Sequence, residues 1–378
     1  MQITGIICEY NPLHLGHSKQ LSLLKARDKA VVCLMSGNFV QRGEPAVFCK
    51  MLRAQAALDC GADLVLELPA TYSLRSAEGF AAGGVEILSP ICHELSFGAE
   101  SANGDALMAL AQALLSEQFQ AVLPQFLDRG LSFAAARQKA LEQMGLNASI
   151  LETPNNILAV EYCKAILAQN AELEIAPIAR GGSYHDTLPD PENPSATSLR
   201  LALERGQSVS RYLPPAAAAA FENAPRHTLA QGEKAMLAVL RTMPEEAFSA
   251  LPFGGEGLWR KFMYACRTES SLPEILAAAK SKRYAYSRLS RMAMCAFLGL
   301  TEADLAAKAP YVRILGFNDT GRAILRQALD LGIPLVNIGT PMEGAYARQE
   351  ERVGALYGLF APTPEPPNRE QKMRVLRR

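Results

Sequence analysis

The sequence predicts an α/β fold: a doubly wound parallel sheet carrying a helical insertion, followed by a mainly helical C-terminal domain. Three observations lead there. Short apolar runs recur about thirty residues apart through the first hundred positions. Segments with helical spacing fill the intervals between them. The composition then shifts near 206–225, where Pro214-Pro215 and the five alanines after it read as a linker and the first helix of a second domain.

Each element follows from its local pattern. The runs at 3–8, 30–35, 63–68 and 94–97 read as strands, and 173–179 as a fifth. Helical patterns cover 18–27, 46–60 and 76–88. Strands alternating with helices must be parallel, buried on both faces and joined by right-handed crossovers. Residues 104–146 are Ala-rich and amphipathic, which marks 104–150 as a helical insertion. A helix at 155–169, a polar loop at 181–194 and a helix at 195–204 complete a first domain over 1–210. The second, 211–378, reads as helical to about 308 and then as a small β-α-β unit over 311–338. The tail, 361–378, is Pro-rich and then basic, and reads as a frayed, solvated terminus.

Composition narrows the function. Lys plus Arg and Asp plus Glu each number 38, so the net charge is zero. A protein that coats nucleic acid indiscriminately would be basic overall. No apolar run approaches the ~18 residues of a membrane span, and no basic stretch precedes the first apolar run. Neither a membrane partner nor a signal peptide is expected. The eight cysteines form no C-x-x-C pair, so no metal site is expected from them. Buried free thiols fit a reducing cytoplasm.

The chemistry concentrates in the first strand-to-helix turn, Glu9-Tyr10-Asn11-Pro12-Leu13-His14-Leu15-Gly16-His17. Ligands of doubly wound sheets bind at the carboxyl ends of strands. Gly16 allows close approach, and the free N–H groups of the next helix favour phosphate. His14 and His17, three residues apart, can both face one anion. A helix cap with two unrelated histidines, or a lone metal pair, is the bland alternative. Ser195-Ala196-Thr197-Ser198-Leu199-Arg200 opens a later helix, where hydroxyls and N–H groups again suit phosphate oxygens. Lys50 and Arg42 read as either triphosphate neutralisers or solvated cations. His93 and His227 read as structural. From 275 to 301 there are five basic residues and no acidic one. On a single helix Lys280, Tyr284, Arg288 and Arg291 would share a cationic face, with Tyr286 and Leu289 on an apolar one.

The H-x-G-H turn resembles the signature of the HIGH-type nucleotidyltransferases, whose sheet is Rossmann-like. Further words extend the likeness: EYNP-x-H-x-GH, MSGNFVQRGEPA (35–46), PNNILA-x-EY (154–162) and SATSLR (195–200). Together they make the chain resemble the bacterial tRNA(Met) cytidine acetate ligase family over nearly its full length. The resemblance implies activation of acetate by ATP, with Mg²⁺, to acetyl-adenylate and pyrophosphate. The acetyl group would pass to N4 of the wobble cytidine in the anticodon loop of elongator tRNA(Met). His14 and His17 would be catalytic. ATP would be held by Ile7, Glu9, Tyr10, Asn11, Pro12, His14, Gly16, His17 and Gln20, with Gly98 under the adenosine. Asn155 or Asn156, Arg180, Thr197 and Ser198 would complete that site. Glu9 could hold magnesium or orient the turn, and His185 could deprotonate the cytidine amine or serve its loop. Lys282, Arg283, Tyr284, Arg288 and Arg291 would meet the tRNA. Two other readings stay open: a plain adenylyltransferase, or an RNA-binding module without catalysis.

Overall fold

The computed structural model describes residues 1–180 and 188–378. Among the described residues ten strands occur in the order β1 (Ile3–Cys8), β2 (Ala30–Ser36), β3 (Phe39–Val40), β4 (Glu44–Pro45), β5 (Leu64–Leu68), β6 (Glu94–Ala99), β7 (Glu174–Ala179), β8 (Val312–Phe317), β9 (Leu335–Asn337) and β10 (Leu376–Arg377). The main sheet runs β10-β8-β5-β2-β1-β6-β7, with β9 beside β8. From β5 to β7 every pairing is parallel. Every residue of β1, β2 and β5 is buried. That is why these strands read as unbroken apolar runs. The short hairpin β3–β4 stands apart from the sheet.

The insertion is helical, as expected, in three pieces: Gly104–Leu115, Glu117–Leu127 and Phe133–Gln143. Each starts where a side chain of Asn103, Ser116 or Ser132 accepts a backbone N–H of its first turn. Their buried residues Leu107, Leu110 and Leu141 join the core of helix Pro154–Ala168 and the sheet. Between 229 and 298 the chain is helical around Met236, Phe248, Phe262, Ile275 and Met292. Among the described residues no single helix is long and apolar enough to cross a membrane.

Three expectations are corrected. The β-α-β unit at 311–338 exists, with helix Asp319–Asp330, but it extends the main sheet: β8 lies antiparallel to β5. The sheet is therefore mixed at that edge. The tail is not frayed, because Leu376–Arg377 pairs with β8 and Glu370 reaches Lys50. The Pro-Pro-alanine stretch is helical, as expected, but it packs against the first domain and is not a linker. It forms helix Pro215–Phe221, and Phe221 stacks on Phe48 with ring centroids 4.3 Å apart. Local pattern identified these segments; partners distant in sequence decided where they pack.

Candidate active site

A crevice opens beside β1. The strand order reverses at β1, with β2 on one side and β6 on the other. β1 pairs with β2 along all six residues, but with β6 only through Thr4–Glu94 and Gly5–Leu95. The carboxyl ends of β1 and β6 therefore part, the favoured ligand position in such sheets. The chain leaves β1 through Tyr10, in the left-handed region at φ 46, and enters helix Leu15–Lys25 at His14.

The turn's side chains divide into braces and donors. The Tyr10 ring is buried, its hydroxyl 3.5 Å from Cys33 Sγ. Asn11 accepts from Val47 N at 2.8 Å, and its carbonyl accepts from Arg200 at 3.0 Å. Pro12 is buried, and Ile7 packs on Gly84 of helix Ala77–Leu88. Gln20 reaches Ser96 of β6 at 3.2 Å. Glu9 accepts from Gln41 N at 2.8 Å, so its carboxylate orients the next loop.

His14 and His17 meet directly. Their rings stack 3.8 Å apart at 27°. Nδ1 of His14 accepts from Gly16 N at 3.1 Å, and Nδ1 of His17 accepts from His14 N at 3.4 Å. A neutral imidazole has one donor and one acceptor, so both protons sit on Nε2. Both rings are neutral: burial pulls His14 down to about 3, helped by Arg180, and pulls His17 well below the usual range. Nε2 of His14 is buried and has no protein partner among the described residues. A buried donor left unpaired costs about 1–3 kcal/mol, and a bound anion would recover it.

Opposite lies the end of β6. A side chain at Gly98 would meet only Arg180, at an ordinary 3.8 Å, so nothing in the protein itself demands glycine there. Glu100 accepts from Thr153 Oγ1, Asn155 Nδ2 and Asn156 N at 2.6–3.0 Å. Asn155 in turn accepts from Arg180 at 3.2 Å. The two asparagines thus separate: Asn155 positions Arg180, whereas Asn156 is buried and accepts from Ser101 N at 2.9 Å. Sequence reasoning gave Glu100 no role. Its signal was its place, one residue past a strand end.

Helix Ala196–Glu204 supplies a second N-terminus. Ser195 caps it, and the Ser198 hydroxyl is turned inward to Ser195 O at 2.9 Å. The expectation of a phosphate-facing Ser198 hydroxyl is corrected, since the first turn consumes it. Thr197 stays partly exposed, 3.5 Å from Arg200. Arg53 was also missed. It is fully buried and donates to carbonyls of Glu9, Ser36, Gly37 and Phe48, tying the 36–48 loop to the turn. Lys50 is neither triphosphate neutraliser nor solvated cation: it is buried between Glu67 and Glu370, both 2.7 Å away. Arg42 is largely buried beside Glu9, Glu44 and Arg200, and burial lowers its pKa. His93 accepts from Ile3 N, and His227 stacks on Tyr357, so both serve the structure. His185 lies outside the described residues.

The family model for HIGH nucleotidyl transferases matches residues 1–371. A tRNA(Met) cytidine acetate ligase of Clostridium novyi is 38% identical over 348 residues, covering 86% of this chain and 87% of the relative. This chain belongs to the tRNA(Met) cytidine acetate ligase family. A relative of the same name from Halothermothrix orenii is 36% identical over 354 residues, with 86% and 84% covered. The crystal structure of apo Thermotoga maritima TmcAL superposes with a TM-score of 0.91 at 28% identity, over the whole of both chains. The form bound with alpha-thio ATP gives 0.89, with the same identity and coverage.

In this family member the basic segment departs from its expected form. Helix Tyr286–Leu298 starts too late to carry Lys280 and Tyr284. Ser281 and Tyr284 pair instead as a tight bridge, which turns the chain before the helix begins. Tyr284 is buried, its hydroxyl 2.8 Å from Glu256, which also pairs with exposed Arg283. Arg288 donates to Phe253 O, and buried Arg291 donates to Gln41 O at 3.2 Å. Tyr286, expected on the apolar side, is 48% exposed. Of the five residues expected to meet tRNA, Lys282 and Arg283 are exposed.

Proposed function

We propose that this protein acetylates N4 of the wobble cytidine of elongator tRNA(Met), consuming acetate and ATP. The observation that carries the reading is the stacked pair of neutral histidines, presenting Nε2–H donors at a helix N-terminus beside the reversal point of the sheet. The name shared by the relatives and the alpha-thio ATP on the Thermotoga maritima neighbour support it.

The residues suggest the following chemistry. An acetate oxygen attacks the α-phosphorus of ATP, the bond to the bridging oxygen breaks, and pyrophosphate leaves. His14 and His17 donate hydrogen bonds to the charge that grows on the phosphoryl oxygens, with no covalent step. Their neutrality matters, because a donor fixed in place needs no proton exchange with solvent. The N-termini of helices Leu15–Lys25 and Ala196–Glu204, with Thr197, suit the phosphates. Gly98 leaves room for the adenosine, and Arg180, steadied by Asn155 and Glu100, adds positive charge. The cytidine amine then attacks the acetyl carbonyl, AMP leaves, and the amine loses a proton.

Magnesium would supply charge neutralisation on the triphosphate. Among the described residues no cluster of three or more ligating side chains stands ready for a metal, and Glu9 is engaged by Gln41. Phosphate oxygens and water therefore fit as its ligands. In this reading the sheet carries catalysis and the helical region carries the tRNA. A tRNA substrate and eight unbridged cysteines fit the cytoplasm.

The test supplies radiolabelled acetate, ATP, Mg²⁺ and unmodified elongator tRNA(Met). ATP-dependent label at the wobble cytidine is the expected result. Adenylyl transfer to another acceptor, with no label in folded tRNA, would replace this reading with a plain adenylyltransferase.

A further inference from the structure

We propose that the outer face of helix Leu258–Thr268, with the 280–282 loop it grips, docks the anticodon stem of the RNA substrate. The inference rests on the tRNA reading above and adds a surface that the basic segment alone did not reveal.

The helix is amphipathic in an unusual sense. Leu258, Phe262, Ala265 and Cys266 are buried in the helical core. The opposite side exposes Arg260, Lys261, Tyr264 and Arg267. No acidic residue occurs from Gly257 to Thr268. Arg260, Tyr264 and Arg267 fall on one stripe by helical spacing, spanning about 10 Å along the axis. Tyr264 is 70% exposed, although a tyrosine ring gains by burial. Arg260 lies over the Trp259 ring at 4.6 Å, which holds its guanidinium near the surface.

Two links carry this face toward the crevice. Lys261 Nζ donates to Lys280 O at 2.9 Å, joining the helix to a loop with exposed Lys280 and Lys282. That loop runs into helix Tyr286–Leu298, whose Arg291 holds the Gln41 carbonyl and whose backbone at Ser290 abuts Gly43. Glu44, the next residue, lies 3.9 Å from Arg200, which braces the histidine turn. A duplex on the cationic face would point its loop along this route.

The chemistry favours RNA. Cations meet phosphates, and an exposed tyrosine among them can stack on an unpaired base. A lipid surface would need several aliphatic side chains beside the cations, but Leu258, Phe262, Ala265 and Cys266 are buried in the core and the exposed ring, Tyr264, carries a hydroxyl. With zero net charge on the whole chain, attraction for a polyanion must come from such a local face.

The test uses the full chain and an anticodon stem-loop RNA. Arg260→Glu with Arg267→Glu should weaken binding by about tenfold or more. It should also flatten the dependence of log K on log salt by about two, because each phosphate neutralised by a cation is worth about 0.9 of slope. Tyr264→Ala should weaken binding about tenfold at unchanged slope. Acetate-dependent exchange of pyrophosphate into ATP should be unchanged in all variants. Unchanged RNA affinity and slope in the folded double variant would overturn the docking surface. Absent exchange in the unmodified protein, with RNA binding still dependent on Arg260 and Arg267, would overturn the ligase reading and leave this surface standing.

Discussion

Replacing His14 by asparagine separates two jobs that one ring performs. Nδ1 caps the first turn of helix Leu15–Lys25 by accepting from Gly16 N, while Nε2–H has no partner among the described residues. Asparagine is among the best caps, so its amide oxygen can still accept from Gly16 N. Its NH₂ stops short of where Nε2 stands. His14→Asn should therefore melt close to the parent, whereas His14→Ala should lose about 0.5–2 kcal/mol with the cap. Both should slow acetate-dependent ATP–pyrophosphate exchange by about 10²–10³, the usual cost of one preorganised donor to a developing oxyanion. The linkage to pH supplies a second readout. Burial holds the folded imidazole at about 3, below 6.5 for an exposed ring. Between those values unfolding takes up a proton, so this histidine's contribution is full above 6.5 and is lost as pH falls toward 3. The slope is up to about 1.4 kcal/mol per pH unit. Urea melts of His14→Asn across that range should show a shallower acid slope. Exchange at the parental rate in His14→Asn would refute the donor role, and an unchanged acid slope would refute the buried neutral ring.

The asparagine pair should divide in the same spirit: Asn155→Ala should raise the KM for ATP with little change in melting, by releasing Arg180. Asn156→Ala should instead cost about 1–3 kcal/mol by stranding Ser101 N–H, and equal effects in both assays would contradict the division. Gly98→Ala should leave the melt within about 0.5 kcal/mol, since the added Cβ meets only Arg180, yet weaken ATP binding measured by calorimetry. Normal ATP affinity there would remove Gly98 from the nucleotide site. Lys50→Met should destabilise the fold by about 3–5 kcal/mol, because Glu67 and Glu370 would face each other without their shared cation. Adding Glu67→Gln, a carboxyl that burial already pushes to about 7, should restore part of the loss in the same melts.

The sheet was legible because buried parallel strands leave a signal with no phase. β1 matched its expected bounds, and β2 and β5 differed by single residues. The histidine turn was legible because its residues are local: cap, glycine and both rings fall within four positions. What sequence could not show were pairings that span the chain. Lys50 read as a triphosphate neutraliser or a solvated cation because Glu370, one of its two partners, is 320 residues away. Arg291 looked like part of a surface stripe, but the Gln41 carbonyl, 250 positions earlier, turns it inward. Conversely, Arg260 and Tyr264 carried no motif, and only the burial of Phe262 and Cys266 leaves them facing out.

The position of β10 bears on the order in which the molecule is assembled. Chains emerge from the ribosome N-terminus first. The histidine turn is made within the first twenty residues, but the edge of β8 and the second carboxylate on Lys50 wait for positions 370–377. Until those arrive, β9 covers only the first half of the outer edge of β8, and its end at Gly316–Phe317 stays open, the kind of edge that invites wrong pairing. The pairing of β10 with β8 is thus a late event in the assembly of this sheet.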